Sequence, residues 1–236
     1  MFVITTSGAQ GIILIYMSNM HLNRNTGESI ASHFNVGVHK KFLKSEILVQ
    51  GDEEPTGVYL IKSGYVKAYS ISQLGQKNLL LIHGTNEIMP LPWALDGPQK
   101  LGVFYEAMSD VEVFNTSKDD LRMAMGSNPW LSEQILRQLV NTFTVYAQRI
   151  QNLGYRLPKE RVIACLLDLA SRFGQMHHQG ILIDAPVTHQ DIADSISMSR
   201  ETASRALGPL IDDGLITQKK HLFMILDEKK LQEQLS

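Results

Sequence analysis

The sequence predicts an α+β chain in which an N-terminal antiparallel β-roll of jelly-roll type is joined by a long helix to a winged helix-turn-helix. Three observations carry this. Short apolar runs punctuated by glycine fill residues 45 to 115, a helical apolar stripe runs from Leu131 to Leu153, and two short capped helices separated by a tight turn occupy Val187 to Ile216. The implied boundaries are a variable lead-in over 1–27, a β-roll over 28–127, a long helix over 128–156 and the helix-turn-helix unit over 157–236.

Taken in order, the lead-in contains the run GIILIYM, with no basic residue before it. It is far shorter than the roughly 20 apolar residues of a spanning helix, so neither export nor a membrane is expected. The runs ILV, VYLI, YVKAYSI, LLLI and VEVF read as strands, and Gly51, Gly57, Gly64, Gly75 and Gly84 mark the turns between them. Strands this short at such spacing suit a compact barrel or roll. After Asn128-Pro129 the period becomes helical. Leu131, Ile135, Leu139, Phe143, Tyr146, Ile150 and Leu153 step by fours and threes, which suits either a helix buried on its own domain or a helix paired with its copy in a second chain. Standing between a β module and a helix-turn-helix, the helix reads as a dimerisation helix, ended by Gly154 and Pro158.

ERVIACLLDLASRF is a further amphipathic helix, QMHHQG a loop and ILI a short apolar run. Thr188 then stands as an N-cap with Asp191 three residues on, the spacing of a capping box. Ser199 is a second N-cap, followed by an apolar stripe of Ala203, Ala206, Leu207, Leu210 and Ile211. The opposite face presents Arg200, Glu201, Ser204 and Arg205 from the first two turns, as a helix that meets base edges in a major groove requires. GLITQKKHLFMIL has the form of a β-hairpin wing, and EKKLQEQL that of a closing helix.

Composition limits the reading without deciding it. The 236 residues can bury one large core or two ordinary ones, and the net charge is −2. From Lys159 onward nine Lys and Arg face eleven Asp and Glu, so an interface with nucleic acid must rest on where the charges sit. The single cysteine, Cys165, excludes an intrachain disulfide and an all-cysteine iron–sulfur or zinc site, and a reducing cytoplasm is the natural compartment. No phosphate-binding glycine loop, metal-ligand spacing or nucleophile elbow is present, so the chain does not read as an enzyme.

The order of parts, with the stretch VTHQDIADSISMSRETASRAL followed by GLI and the independent stretch VYLIKSGYVKAYSI, resembles the CRP/FNR family of bacterial transcription regulators over roughly residues 28 to 230. The resemblance implies a homodimer that binds double-stranded DNA, with RNA polymerase as a partner if it activates and a small-molecule effector of unknown identity. Three departures from the family pattern matter, the first two for the effector. Pro90 and Leu91 stand where nucleotide-binding members carry a Gly-Glu pair, and Lys100 and Leu101 where they carry Arg-Ser/Thr, so cyclic AMP is not expected. An iron–sulfur cluster lacks its cysteines, and Cys165 reads as a packed small hydrophobe. Ser197 occupies a turn position that is commonly glycine, at a cost of about 1 kcal/mol.

Arg205 is the strongest base-reading candidate. A guanidinium spans guanine O6 and N7, and Glu201 can accept from cytosine N4; the alternative is an Arg–Glu pair on a solvated face. Glu201-x-x-Ser204-Arg205 is similar to members that read TTGAT, and Arg200-Glu201 with Arg205 to members that read TGTGA, so a palindrome with a TGA core is expected. Thr188, His189, Ser199, Lys219, Lys220 and His221 are candidates for phosphate contacts. Leu91, Trp93 and Lys100 are candidates for an altered effector pocket, with core packing the alternative for Trp93. No cofactor or metal site is expected, although His33, His39 or His83 could serve as a haem ligand in this family; the pair His177-His178 lies in the expected loop. A second reading makes the chain a small-molecule receptor whose helix-turn-helix contacts protein instead of DNA.

Overall fold

A computed structural model describes residues 30–33 and 38–235; the lead-in of 1–27 lies outside them. After a single helical turn, α1 (Ile30–His33), the chain forms eight strands: β1 (Val38–Phe42), β2 (Ile47–Val49), β3 (Val58–Ser63), β4 (Val66–Ile71), β5 (Lys77–His83), β6 (Ile88–Met89), β7 (Phe104–Ala107) and β8 (Val111–Thr116). They make two four-stranded antiparallel sheets, ordered β1-β8-β3-β6 and β2-β7-β4-β5. The run VYLI does not alternate because both faces of β3 are covered. Tyr59 and Ile61 pack between the sheets with Val66, Leu81, Tyr105 and Val113, whereas Val58 and Leu60 pack outward against the helices that follow. Gly64, at φ 89°, turns β3 into β4 where a Cβ would lie 2.4 Å from the Asp110 carbonyl. The five strands read from the sequence are present; β1, β6 and β7 were not read from it.

Helices α2 (Leu91–Ala94) and α3 (Lys118–Ser127) lead into α4 (Pro129–Asn152), which Asn128 caps through Trp130 and Leu131 N–H. The stripe read along α4 requires a correction. Leu131 and Ile135 are fully buried in their own chain, packed with Leu60, Trp93 and Leu121, and Leu139 packs on the same cluster. Phe143 and Ile150 are instead 73% and 72% exposed. Each step of four residues turns about 40° beyond a full revolution. Three such steps carry the stripe from the roll to the outside. The outward apolar row is Leu136, Val140, Phe143 and Ile150, with Tyr146 at its edge and Leu153 turned toward the C-terminal domain.

The C-terminal domain comprises α5 (Pro158–Phe173), β9 (Gly174–His177), β10 (Gly180–Ile183), α6 (His189–Ile196), α7 (Arg200–Asp212), β11 (Ile216–Lys219), β12 (Leu222–Ile225) and α8 (Glu228–Glu233). QMHHQG is not a loop. Gly174–His177 pairs with Gly180–Ile183 as a hairpin and extends the wing to a four-stranded sheet, β11-β12-β10-β9. Gly174 permits the turn out of α5, since a Cβ there would meet the Ala170 carbonyl at 2.1 Å.

This domain is docked on its own roll. Leu79, Ile82 and Met108 of the roll share one apolar core with Ile163, Leu166, Ile192 and Leu207. Lys67 on β4 reaches Glu106 Oε1 and Asp191 Oδ1 at 3.1 Å each, and Lys77 reaches Glu106 Oε2 at 3.0 Å. Tyr65 donates to Asp184 Oδ2 at 2.8 Å, and Arg172 to the Ile82 carbonyl at 2.6 Å.

Replacing Lys67 by Met strips Asp191 and Glu106 of their shared cation. Breaking a fully buried pair costs about 3–5 kcal/mol; with Lys67 18% exposed, the expected loss in urea unfolding is about 2 kcal/mol. Burial works to raise the Glu106 pKa, but Lys77 and Lys67 outweigh it and hold the carboxyl below its usual range. Its contribution is therefore complete above the unfolded value of about 4.3 and lost as pH falls through the depressed folded value. The Lys67→Met protein should lose less stability across that acid window than the parent.

Candidate nucleic-acid interface

The helix-turn-helix is built by local chemistry. Asp191 N–H donates to the Thr188 hydroxyl oxygen, and Thr188 N–H and O–H both donate to Asp191 Oδ2, at 2.9 and 2.5 Å. Ile192, Ala193 and Ile196 form the buried face of α6. Ser197 then takes the left-handed conformation, φ 56° and ψ 49°, and Ser199 caps α7 by accepting from Thr202 N–H. Ala203, Ala206, Leu207 and Leu210 are buried, as the stripe required; Ile211 is not, being 39% exposed. Its position three residues before Gly214 puts it on the edge of the stripe.

Arg200, Glu201 and Arg205 stand exposed on the outer face of the first two turns. The Arg205 guanidinium touches only the Glu201 carbonyl, at 3.5 Å, and no ion pair engages Arg200 or Arg205 among the described residues. The backbone N–H of Glu201 and the Ser199 hydroxyl at the helix start hold the Glu201 carboxyl below its usual range, so it faces outward ionised. Lys219, Lys220 and His221 are exposed at the tip of the β11–β12 hairpin, with Lys220 at φ 58°.

Two residues of the expected interface are turned inward. His189 Nδ1 lies 2.8 Å from Ser204 Oγ and Nε2 lies 2.9 Å from Gln218 Oε1, while its ring stacks near Phe223. His189 thus ties α6, α7 and the wing together and has no ring nitrogen left for phosphate, and the Ser204 hydroxyl is directed at His189, not outward. The donors of Thr188 are likewise spent on Asp191. Gln218 escaped the sequence reading because its partner lies 29 residues away, with no periodic signal to link them.

The candidate effector residues are also relocated. Leu91 and Trp93 are buried in the core beneath α4, with Trp93 Nε1–H donating to Glu54 at 3.1 Å and Lys118 over the ring; Lys100 is exposed and apart from them. Cys165 is buried in the C-terminal core, where burial pushes its thiol up to about 12. His83 is buried against Glu87 at 2.8 Å, His39 lies 3.3 Å from Glu112, and the side chain of His33 lies outside the described residues. Among the described residues no three His, Cys, Asp or Glu converge as a metal site, and no helix is long and apolar enough to cross a membrane.

Comparison with known proteins agrees with this architecture. Residues 39–128 match the cyclic nucleotide-binding domain family and residues 160–234 the Crp-like helix-turn-helix domain family. The global nitrogen regulator of Nostoc sp. is 30% identical over 165 residues, covering 69% of this chain and 74% of that one. The fumarate and nitrate reduction regulatory protein of Vibrio cholerae is 26% identical over 82% and 77% of the two chains. Among solved structures, FixK2 from Bradyrhizobium japonicum shares the fold at a TM-score of 0.72 and 21% identity, covering 84% of this chain and 96% of its own. The fold and the paired helices define a transcription regulator. The chain belongs to the CRP/FNR family.

His189→Phe keeps the ring packing and removes both hydrogen bonds. The expected cost is about 1–2 kcal/mol of stability, with weaker binding to every DNA sequence and an unaltered salt slope. A slope flattened by about one unit would instead mark His189 as a phosphate contact.

Proposed function

We infer that the protein is a homodimeric, sequence-specific DNA-binding regulator of the cytoplasm that reads an inverted repeat with TGA-core half-sites and is not controlled by cyclic AMP. The observation that carries this reading is the exposed set Arg200, Glu201 and Arg205, held without ion pairs on the first two turns of a capped helix. Arg205 takes the bidentate contact to guanine, Glu201 accepts from cytosine N4, Arg200 stands with them at the base edges, and the wing residues Lys219, Lys220 and His221 engage the backbone. Ser204 acts through its tie to His189.

Dimerisation is supported by the outward row of α4. Leu136, Val140, Phe143, Ala147 and Ile150 step by four, three, four and three, the heptad spacing of a two-helix seam, and Phe143 is 73% exposed in the single chain. Two recognition helices related by a two-fold axis then meet half-sites about one helical turn apart. The exclusion of cyclic AMP rests on Pro90 and Leu91. Leu91 is buried under α4 and offers no acceptor to a ribose hydroxyl. Any effector is a small molecule other than cyclic AMP, and an activating role would bring RNA polymerase as a partner.

Selection from random DNA with the purified protein should return TGA-containing inverted repeats; sequences lacking them would sink the reading. Arg205→Ala should cost about 1–3 kcal/mol on the selected site and relax one position per half-site. Phe143→Glu should give a monomer by analytical ultracentrifugation and abolish the preference for paired half-sites.

A further inference from the structure

Where the roll, α4, α5 and α6 meet, a cavity of about 40 Å³ is walled by Leu79 to Ile82, Arg149, Arg161, Cys165, Asp168, Arg172 and Ser195. At roughly 10–15 Å³ per water it holds about three waters, or one tetrahedral oxyanion. Its charges do not balance internally. Arg172 lies 3.6 Å from Glu87, and Asp191 is answered by Lys67. Arg149 and Arg161, by contrast, have no carboxylate within ion-pair distance among the described residues. Arg149 donates from one terminal nitrogen to Asn78 Oδ1 at 2.8 Å and to the Asp194 carbonyl at 3.4 Å, and Arg161 donates to the carbonyls of Tyr155 and Ile196. Each guanidinium carries five N–H donors, so most of theirs are unspent. On the same wall the Asp168 carboxylate accepts no hydrogen bond among the described residues, though Arg172 and Arg149 act on it through space.

Arg149 and Asp168 act on each other through space without a direct bond, and their unspent donors and acceptors are open to solvent or to an occupant of the cavity. The complement is an oxyanion that also carries an O–H: its charged oxygens meet the unspent N–H groups of Arg149 and Arg161, and its hydroxyl donates to Asp168. Hydrogen phosphate has this pattern. Sulfate is fully deprotonated at neutral pH, has no hydroxyl to donate, and would set a second anion against Asp168.

We propose that this cavity between the roll and the DNA-reading domain is a binding site for a protonated phosphate group, held by Arg149 and Arg161 and selected by Asp168. The lining comes from β5, α4, α5 and α6, so an occupant fastens the docked arrangement of the two domains. The site does not rest on the DNA-reading proposal, and its test uses no DNA.

The full-length protein is titrated with phosphate, and separately with sulfate, at constant ionic strength, following thermal unfolding and isothermal calorimetry. Phosphate should bind saturably, and sulfate at least roughly tenfold more weakly, because the site's acceptor is then left unpaired. Arg149→Gln should abolish the phosphate response. Asp168→Asn should bring phosphate and sulfate to similar affinity while the protein stays folded, which a purely structural role for Asp168 would not do. Methyl phosphate, whose neutral-pH dianion carries no hydroxyl, should bind about as weakly as sulfate; binding as tight as that of phosphate would overturn selection by Asp168. Equal responses to phosphate and sulfate in the parent protein, or a phosphate response that survives Arg149→Gln, would overturn the proposal.

Discussion

The two oxygens of the Asp191 carboxylate do different work, and most of the C-terminal architecture depends on that division. Oδ2 receives the N–H and hydroxyl of Thr188 and so fixes where α6 begins. Oδ1 receives the Lys67 ammonium from β4 of the roll. The start of the first helix of the helix-turn-helix is therefore bolted to the β-roll by the group that caps it. Burial opposes the charge on Lys67, but Asp191 and Glu106 outweigh it and raise its pKa. The bolt stays charged at neutral pH, and a shift of the roll strand is felt at the helix start without passing through a flexible linker.

The same division explains how an acidic domain can face a polyanion. Several of its acids are turned inward or used locally, Asp184 on Tyr65, Asp191 on Lys67, Glu160 on the Leu157 N–H and Asp168 in the domain cavity, while Asp212, Asp213, Glu228 and Glu233 are exposed. Arg200, Arg205, Lys219 and Lys220 point outward without ion pairs among the described residues. The net count conceals a local group of cations at the start of α7 and the wing tip, with Glu201 among them, and an electrostatic encounter responds to local charge more than to the net count.

What could be read from the chain was what its neighbours in sequence determine. Both N-caps and, Ile211 apart, the buried stripe of α7 follow from spacings of three and four residues, while the left-handed turn at Ser197 follows from the family resemblance. The α4 stripe was read as one face because its steps are nearly regular, yet a run of fours rotates around the helix. Leu131 and Ile135 were consequently assigned to a partner when they are buried at home. QMHHQG reads as a loop because it lacks the apolar alternation of a strand; the four residues of Gly174–His177 are nevertheless a strand, exposed on a sheet edge where nothing selects for alternation.

The inward turn of His189 and Ser204 belongs to a different order of information. Each residue type is a reasonable DNA contact at its position, and nothing within ten residues of either says otherwise. The constraint comes from Gln218 and Phe223 on the wing, which close on His189 only once β11 and β12 have folded against α6. A ring bonded at both nitrogens fixes the angle between the recognition helix and the wing, and so the spacing between Arg205 and Lys219. Specificity at a base edge requires a guanidinium delivered to within a few tenths of an ångström. On the proposed reading, the residue that sets the delivery, His189, stands behind the one that makes the contact, Arg205.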